Sequence, residues 1–203
     1  ISETVLQFEI IYHPLNFKEK ELIFEDKKLK IFSFPLEHRV PTCGFLFQEK
    51  PSLPNLIKRN IEHLNLSIED IKEIRSGGDY QSPQGKIIPH HELVSPPPEP
   101  RSYAYCSDTR YFAELPQYIN QVELLYSECT FMKDMQEVAT DKFHMTTQDA
   151  AQLAKETHAE KLIAGHFSAR YKDLSGMRAE LQSFFKEAEL VNENQTYHIR
   201  DEK

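Results

Sequence analysis

The chain has 203 residues, of which 39% are hydrophobic and 28% are charged, and this composition excludes a disordered chain and favours a globular one. No apolar run reaches the roughly 18 residues of a membrane-spanning helix, and no signal peptide is visible. The formal net charge of −8 counts against binding of nucleic acid by overall charge, although a local basic patch could still bind it.

The first half of the chain predicts short strands. A strand-like run covers residues 4–12, and further runs rich in aromatic and β-branched residues cover residues 21–24, 29–34 and 44–47. Consecutive short strands without helices between them favour antiparallel pairing. The chain begins with Ile1 rather than Met, and we therefore expect a piece cut from a longer protein.

The middle of the chain predicts two helices and a long loop. The first helix is expected over residues 54–64, and the second is capped by Ser67, has Asp70 at its third position and stops before two glycines at residues 77 and 78. Residues 76–100 read as a loop that includes a proline-rich stretch. A surface connector and a substrate-contacting loop are both compatible with this length.

From residue 101 onwards strands alternate with helices, which predicts an α/β fold with buried strands and helices packed outside them. A capping box is expected between Thr146 and Asp149 at the start of one helix, and Ser175 is expected to cap the last helix. The strands are predicted over residues 102–106, 122–126, 161–164 and 196–199.

Three strands lead into residues that can bind a metal. Asp108 follows the strand at residues 102–106, His166 follows the strand at 161–164, and His38 follows an earlier strand. Side chains at the ends of buried strands converge at one edge of a sheet, and carboxylate oxygen and imidazole nitrogen are both zinc ligands. Taken alone, an aspartate at a strand end more often caps a turn, and a lone histidine more often makes a simple hydrogen bond.

The local sequences around these residues occur in a specific order. Glu37-His38 is followed by Ser107-Asp108-Thr109, then Glu128-Cys129-Thr130-Phe131, His144-Met145-Thr146-Thr147 and finally the segment from His166 to Tyr171. This ordered set resembles the ribonuclease Z family, the tRNA 3′-processing endonucleases of the metallo-β-lactamase superfamily. Each element alone is a weak signal, but the combination is specific.

The resemblance implies a metallo-β-lactamase-type αββα sandwich, of which this chain would be the C-terminal part. It implies two zinc ions per full-length chain, with His38 as a ligand of one, His166 as a ligand of the other and Asp108 bridging both. His144 and Glu128 would form the pair that helps transfer a proton to the departing 3′ oxygen. Arg170 and Tyr171 would lie near the substrate phosphate or a neighbouring helix.

Two departures from the family pattern affect these expectations. The His-x-His-x-Asp-His signature, which supplies most metal ligands, is absent from the chain, so the fragment alone is expected to hydrolyse little or nothing. Residues 51–78 take the place of the family's arm but contain no Gly-Pro pair. We expect one truncated metallo-β-lactamase-like domain over residues 1–203, with an arm or insert and a proline-rich loop within it over residues 51–100.

The full protein is accordingly expected to remove the 3′ trailer from precursor tRNA as a homodimer, with no membrane association. The three widely spaced cysteines, Cys43, Cys106 and Cys129, argue against a disulfide framework and favour the cytoplasm. Two alternatives stay open. One is a hydrolase of the same superfamily that acts on small phosphodiesters or sulfate esters, and the other is a metal-free half that serves binding or dimerisation.

Overall fold

A computed structural model describes residues 7–200. The first strands are β1 (Glu21–Glu25), β2 (Leu29–Leu36) and β3 (Thr42–Glu49). The middle of the chain contains β4 (Asn55–Leu56), α1 (Lys58–Leu64), α2 (Ile68–Arg75), β5 (Tyr80–Gln81), β6 (Ile87–Ile88), α3 (His90–Leu93) and β7 (Val94–Ser95). The remainder contains β8 (Ser102–Cys106), α4 (Leu115–Ile119), β9 (Leu124–Glu128), α5 (Gln136–Lys142), α6 (Thr147–Glu156), β10 (Lys161–Gly165), α7 (Ser175–Phe184) and β11 (Ala188–Leu190).

One seven-stranded sheet organises the larger part of the chain, in the order β1-β2-β3-β8-β9-β10-β11. β1 and β2 are antiparallel, as expected for strands joined by a short turn. The pairs β8–β9, β9–β10 and β10–β11 are all parallel. The carboxyl ends of β8, β9 and β10 therefore lie side by side at one edge of the sheet, which is where the sequence places its metal-capable residues.

Three of the strand predictions need correction. The strand expected at residues 122–126 begins at Leu124 and ends at Glu128, because the amides of Gln121 and Val122 are bound by the carbonyl of Thr157 instead of joining the ladder. The last strand lies at Ala188–Leu190 rather than at residues 196–199. In the run predicted at residues 4–12, residues 7–12 are not a strand, and residues 4–6 lie outside the described part.

The core lies between one face of this sheet and its helices. Phe34, Leu46 and Leu125 are completely or almost completely buried there, together with Leu153 of α6. The predicted capping box of α6 is confirmed, because Thr146 and Asp149 exchange side-chain and backbone hydrogen bonds. Ser175 is the first residue of α7 rather than its cap.

The start of α7 is held by Asp173, whose carboxylate accepts hydrogen bonds from the backbone amide and the hydroxyl of Ser175 at 2.9 and 2.7 Å. Across residues 7–200, none of the helices has the length and apolar character needed to cross a lipid bilayer.

The chain divides into two compact units. The larger comprises the described residues up to Glu25, residues 30–47 and those from Ser102 onwards, and the smaller comprises residues 26–29 and 48–101. The smaller unit has its own core, built on Ile74, Tyr80 and Leu93.

Within the smaller unit, the predicted capping box between Ser67 and Asp70 is confirmed at the start of α2. Helix α1 begins at Lys58 rather than at residue 54, because Asn55 and Leu56 pair with β7 as a short strand. The segment at residues 76–100 is not a plain loop, since it contains the β5–β6 hairpin, α3 and β7.

Candidate metal centre

Asp108 and His166 meet at the carboxyl edge of the sheet. The Oδ1 atom of Asp108 lies 3.1 Å from the Nε2 atom of His166, and the two side chains are 48% and 40% exposed. Both residues have a positive φ, 58° for Asp108 and 62° for His166. Aspartate and histidine are among the residues other than glycine that adopt this left-handed conformation most often.

Glu128, the last residue of β9, has a side chain with no exposed surface. Its Oε1 accepts a hydrogen bond from the Thr109 amide at 2.6 Å. Its Oε2 accepts from the Thr130 hydroxyl at 2.7 Å and from the Met145 amide at 3.0 Å. The His144 Nδ1 atom completes the set at 3.0 Å from Oε2.

A carboxylate offers about four acceptor sites, and protein donors occupy them all here. The geometry therefore makes Glu128 a partner of His144 and of the surrounding backbone, although its oxygens also lie close enough to the other residues to be counted among possible metal ligands.

His144 follows α5 directly, after Phe143 has ended that helix in the left-handed conformation. The hydrogen bond to the Glu128 carboxylate raises the pKa of His144, with further support from the charges of Glu128 and Asp108, and outweighs the opposing effect of burial. Because Nδ1 is engaged by Glu128, Nε2 is the nitrogen that remains for chemistry. The imidazole ring centre lies 5.2 Å from that of His166.

Asp108, Glu128, His144 and His166 offer ligand atoms that all lie within 4.8 Å of one another. With Glu128 occupied by its own donors, one carboxylate and two imidazoles remain. Oxygen and nitrogen donors of this kind suit zinc and similar divalent ions. This edge of the sheet could therefore hold a metal ion.

His38 lies beside this group but not within it. Its ring centre is 5.3 Å from that of His144, and its Nδ1 is 3.3 Å from the carbonyl oxygen of Phe143. The preceding residue, Glu37, anchors the segment through an ion pair with Arg110, whose Nε is 2.6 Å from Oε2. The end of β2 is thereby tied to the loop that follows β8, which is the loop that carries Asp108.

Comparison with known proteins supports the family resemblance. Over 188 residues the chain is 39% identical to the ribonuclease Z of Porphyromonas gingivalis, an alignment that covers 93% of this chain and 62% of that protein. The chain is homologous to ribonuclease Z. It spans less than two thirds of the length of the curated ribonuclease Z proteins it matches. No protein-family model matches it.

Solved structures support the fold. The short form of human tRNase Z superposes with a TM-score of 0.53 at 20% identity, over 90% of this chain and 48% of that one. The metallo-β-lactamase fold protein YhfI from Bacillus subtilis superposes with a TM-score of 0.52 at 16% identity, over 88% of this chain and 51% of that one. The chain has the mixed α/β architecture of this part of the metallo-β-lactamase fold.

The two residues that the ribonuclease Z resemblance places near the phosphate or a neighbouring helix lie on the loop after β10. The Arg170 guanidinium lies 5.0 Å from the ring centre of Phe131. The Tyr171 hydroxyl accepts a hydrogen bond from the Met132 amide at 3.0 Å. Arg170 is exposed, whereas the hydroxyl of Tyr171 is engaged with the backbone that follows Phe131.

Two threonines at the site were not singled out from the sequence. Thr109 donates its amide to Glu128, and its hydroxyl accepts from the Glu37 amide at 3.1 Å. Thr130 lies between Glu128 and His166. Both belong to the short segments that resemble ribonuclease Z, and the available signal was a polar residue two or three positions after a strand end. Their hydrogen-bond partners depend on tertiary structure.

Proposed function

We propose that the protein is a zinc-dependent endoribonuclease that removes the 3′ trailer from precursor tRNA, and that this chain supplies the downstream share of its active site. The homology to ribonuclease Z supports the reaction class. The observation that carries the proposal is the convergence of Asp108, His144 and His166 at one sheet edge, with the buried Glu128 behind His144.

We assign the metal-binding roles to three residues. His166 would hold one zinc ion, His38 would hold the other, and Asp108 would bridge both through its two oxygens. Two zinc ions, when bound, would lower the pKa of a water molecule and stabilise charge on the phosphodiester oxygens. The exposure of Asp108 and His166, about half of each side chain, leaves this edge accessible to a phosphodiester.

His144 is suited to the role of general acid. Its Nδ1 is held by Glu128 at 3.0 Å, which orients the ring and leaves Nε2 as the proton-carrying atom. The raised pKa of His144 means that a larger fraction of the ring carries its second proton near neutral pH. A protonated imidazole placed beside the leaving 3′ oxygen can donate that proton as the bond breaks.

The remaining assignments follow from the family resemblance. We propose that Arg170 and Tyr171 lie along the path of the substrate backbone, with the exposed guanidinium facing a phosphate. We also propose a single metallo-β-lactamase-like domain with an insert over residues 51–100, a homodimer and a cytoplasmic location. The net charge of −8 is compatible with precursor tRNA as the substrate if the RNA is bound by local basic residues such as Arg170.

The test uses the full-length protein and a precursor tRNA with a defined 3′ trailer. Cleavage on the 3′ side of the discriminator nucleotide should disappear with a chelator and return with zinc, and tRNA binding should weaken steeply with salt. The variant His144→Asn should lower kcat by about 10²- to 10⁴-fold. The variant His158→Asn, at an exposed histidine outside the group of metal-capable residues, is the control.

Two results would contradict the proposal. Hydrolysis of a small phosphodiester or sulfate ester with no cleavage of precursor tRNA would favour a different substrate within the same superfamily. Full-length protein that binds no zinc and cleaves none of these substrates would favour a metal-free binding role.

A further inference from the structure

Thr130 connects the buried carboxylate to the metal-capable histidine. Its side-chain oxygen lies 2.7 Å from Oε2 of Glu128 and 2.9 Å from Nδ1 of His166. The same oxygen lies 3.0 Å from the backbone carbonyl oxygen of His166. Thr130 is 6% exposed, so water competes little for its hydroxyl group.

The number of protons determines the direction of these hydrogen bonds. A threonine hydroxyl has one proton to donate and two lone pairs with which to accept. An ionised carboxylate can only accept, and hydrogen bonds to charged acceptors are the shorter and stronger ones. The shortest of the three contacts is the one to Glu128, so the hydroxyl proton lies on that bond. The contact at 2.9 Å is then satisfied only if Nδ1 of His166 donates its proton to the threonine oxygen.

We propose that Thr130 is a positioning residue that fixes His166 in the tautomer with the proton on Nδ1, so that the unprotonated Nε2 presents its lone pair beside Asp108. The tautomer itself rests only on the hydrogen bonds of the chain, and its use in binding zinc rests on the proposed function. In this tautomer no proton lies between Nε2 and Oδ1 of Asp108, which are 3.1 Å apart, and a cation held by both atoms would offset the repulsion between their lone pairs.

One carboxylate would thereby determine, in both imidazoles, which nitrogen is engaged and which is left available. Glu128 engages Nδ1 of His144 directly, and it acts on Nδ1 of His166 through the hydroxyl of Thr130. In both rings Nε2 is left for chemistry, and the ring centres are only 5.2 Å apart. Histidine ligands in metal sites commonly have their second nitrogen fixed in this way by an outer partner.

Removal of the threonine oxygen should reverse the tautomer. In the variant Thr130→Val, Nδ1 of His166 loses its acceptor, whereas Nε2–H can still donate to Asp108 at 3.1 Å. The ring should therefore move its proton to Nε2 in the metal-free protein. A metal ion must then displace that proton, and loss of such an outer partner typically weakens metal binding by about 10- to 100-fold.

The decisive measurement is the imidazole ¹⁵N spectrum of the metal-free protein, recorded at a pH at which the ¹⁵N shifts themselves show a neutral ring for His166. Wild type and Thr130→Ser should show His166 protonated on Nδ1, and Thr130→Val should show it protonated on Nε2. Thr157→Val is the matched control, because Thr157 is also fully buried but its hydroxyl bonds only carbonyls of α6.

Wild-type protein with the proton on Nε2 of His166 would overturn the proposal without any variant, and so would Thr130→Val with the wild-type tautomer. A second measurement is zinc affinity by competition with a chromogenic chelator, where Thr130→Val should bind 10- to 100-fold more weakly and Thr130→Ser close to wild type. Neither measurement uses RNA. Failure to cleave precursor tRNA would therefore leave this inference standing, and a wrong tautomer would leave the proposed nuclease activity standing.

Discussion

Nδ1 of His144 lies 3.0 Å from Oε2 of Glu128, and the two residues are supplied by different elements, the turn after α5 and the end of β9. The backbone amide of Met145 donates to the same oxygen, also at 3.0 Å. The carboxylate therefore orients an imidazole and at the same time holds the turn that carries it against the sheet. The orientation of the imidazole and the stability of the turn therefore both depend on this one carboxylate.

Replacement of Glu128 by glutamine should destabilise the protein by about 2 to 3 kcal/mol. An amide has the same shape as the carboxylate, but its NH₂ group must face either the Thr109 amide or the donors from Met145 and Thr130. Donor would then face donor in a site without solvent. The free energy of unfolding, from urea titration of the metal-free protein, measures the effect.

The control for this change is Glu137→Gln, an exposed position on α5 that should alter stability by less than about 0.5 kcal/mol. Equal stabilities for the two variants would show that the hydrogen bonds of Glu128 contribute nothing net to folding.

Gly165 should not tolerate a methyl group. A Cβ atom at this position would lie 2.4 Å from the hydroxyl oxygen of Tyr126 and 2.9 Å from a methyl carbon of Val191. Gly165→Ala should therefore cost about 1 to 3 kcal/mol of unfolding free energy, and the added change Tyr126→Phe should recover part of it by removing the closest atom. Thermal or urea unfolding measures both.

Gly176, in the first turn of α7, should by contrast tolerate a methyl group. The nearest atom to a Cβ built there is 3.9 Å away, on Met132, so Gly176→Ala should stabilise the protein by about 0.4 to 1 kcal/mol by restricting the unfolded chain. A destabilised Gly176→Ala variant would contradict this expectation, and Gly165→Ala with wild-type stability would contradict the crowding at Gly165.

The strand ends could be predicted from the sequence because an apolar run followed by a polar residue is a local signal. This is why the strands before Asp108 and His166 agree with the structure to within a residue. The position of His144 relative to Glu128 is not a local property. It came from the family resemblance, since nothing in the spacing of residues 128 and 144 indicates that they meet.

The errors have tertiary causes. Val122 and Glu123 have strand-forming neighbours, but their amides bond to Thr157 and Ser102 instead of to a strand, and β9 therefore begins two residues later than its sequence suggests. Residues 7–12 have a strand-like sequence with exposed apolar side chains such as Tyr12. A strand needs a neighbour to satisfy its backbone, and sequence pattern alone does not say whether one is present.

The capping interaction between Ser67 and Asp70 in the smaller unit can be tested through the pKa of Asp70. Hydrogen bonds from the side chain and the backbone amide of Ser67 lower the pKa of this carboxyl. A lowered folded-state pKa means that the contribution to stability is present above the ordinary aspartate pKa and is lost as pH falls through the folded value. In Ser67→Ala, the Asp70 pKa should rise towards its ordinary value, because one of the two donors is gone.

Carboxyl ¹³C titration by NMR measures this shift. Asp173 is an internal control in the same spectra, because its pKa is lowered by Ser175 rather than by Ser67 and should not move. A rise in both carboxyl groups would indicate a global change in the protein rather than loss of one capping interaction.

The last prediction concerns the metal itself. Asp108→Asn keeps the shape of the side chain but removes its charge and one of its two ligand oxygens. The substitution should weaken zinc binding by more than about tenfold, because loss of a residue that only supports a ligand already weakens metal binding by about that factor. The substitution should change the unfolding free energy of the metal-free protein by less than about 0.5 kcal/mol, because the side chain is 48% exposed and asparagine also tolerates a positive φ. Asp141→Asn, at an exposed aspartate on α5, is the control for lost negative charge. Equal zinc affinities for the two variants would exclude Asp108 as a ligand.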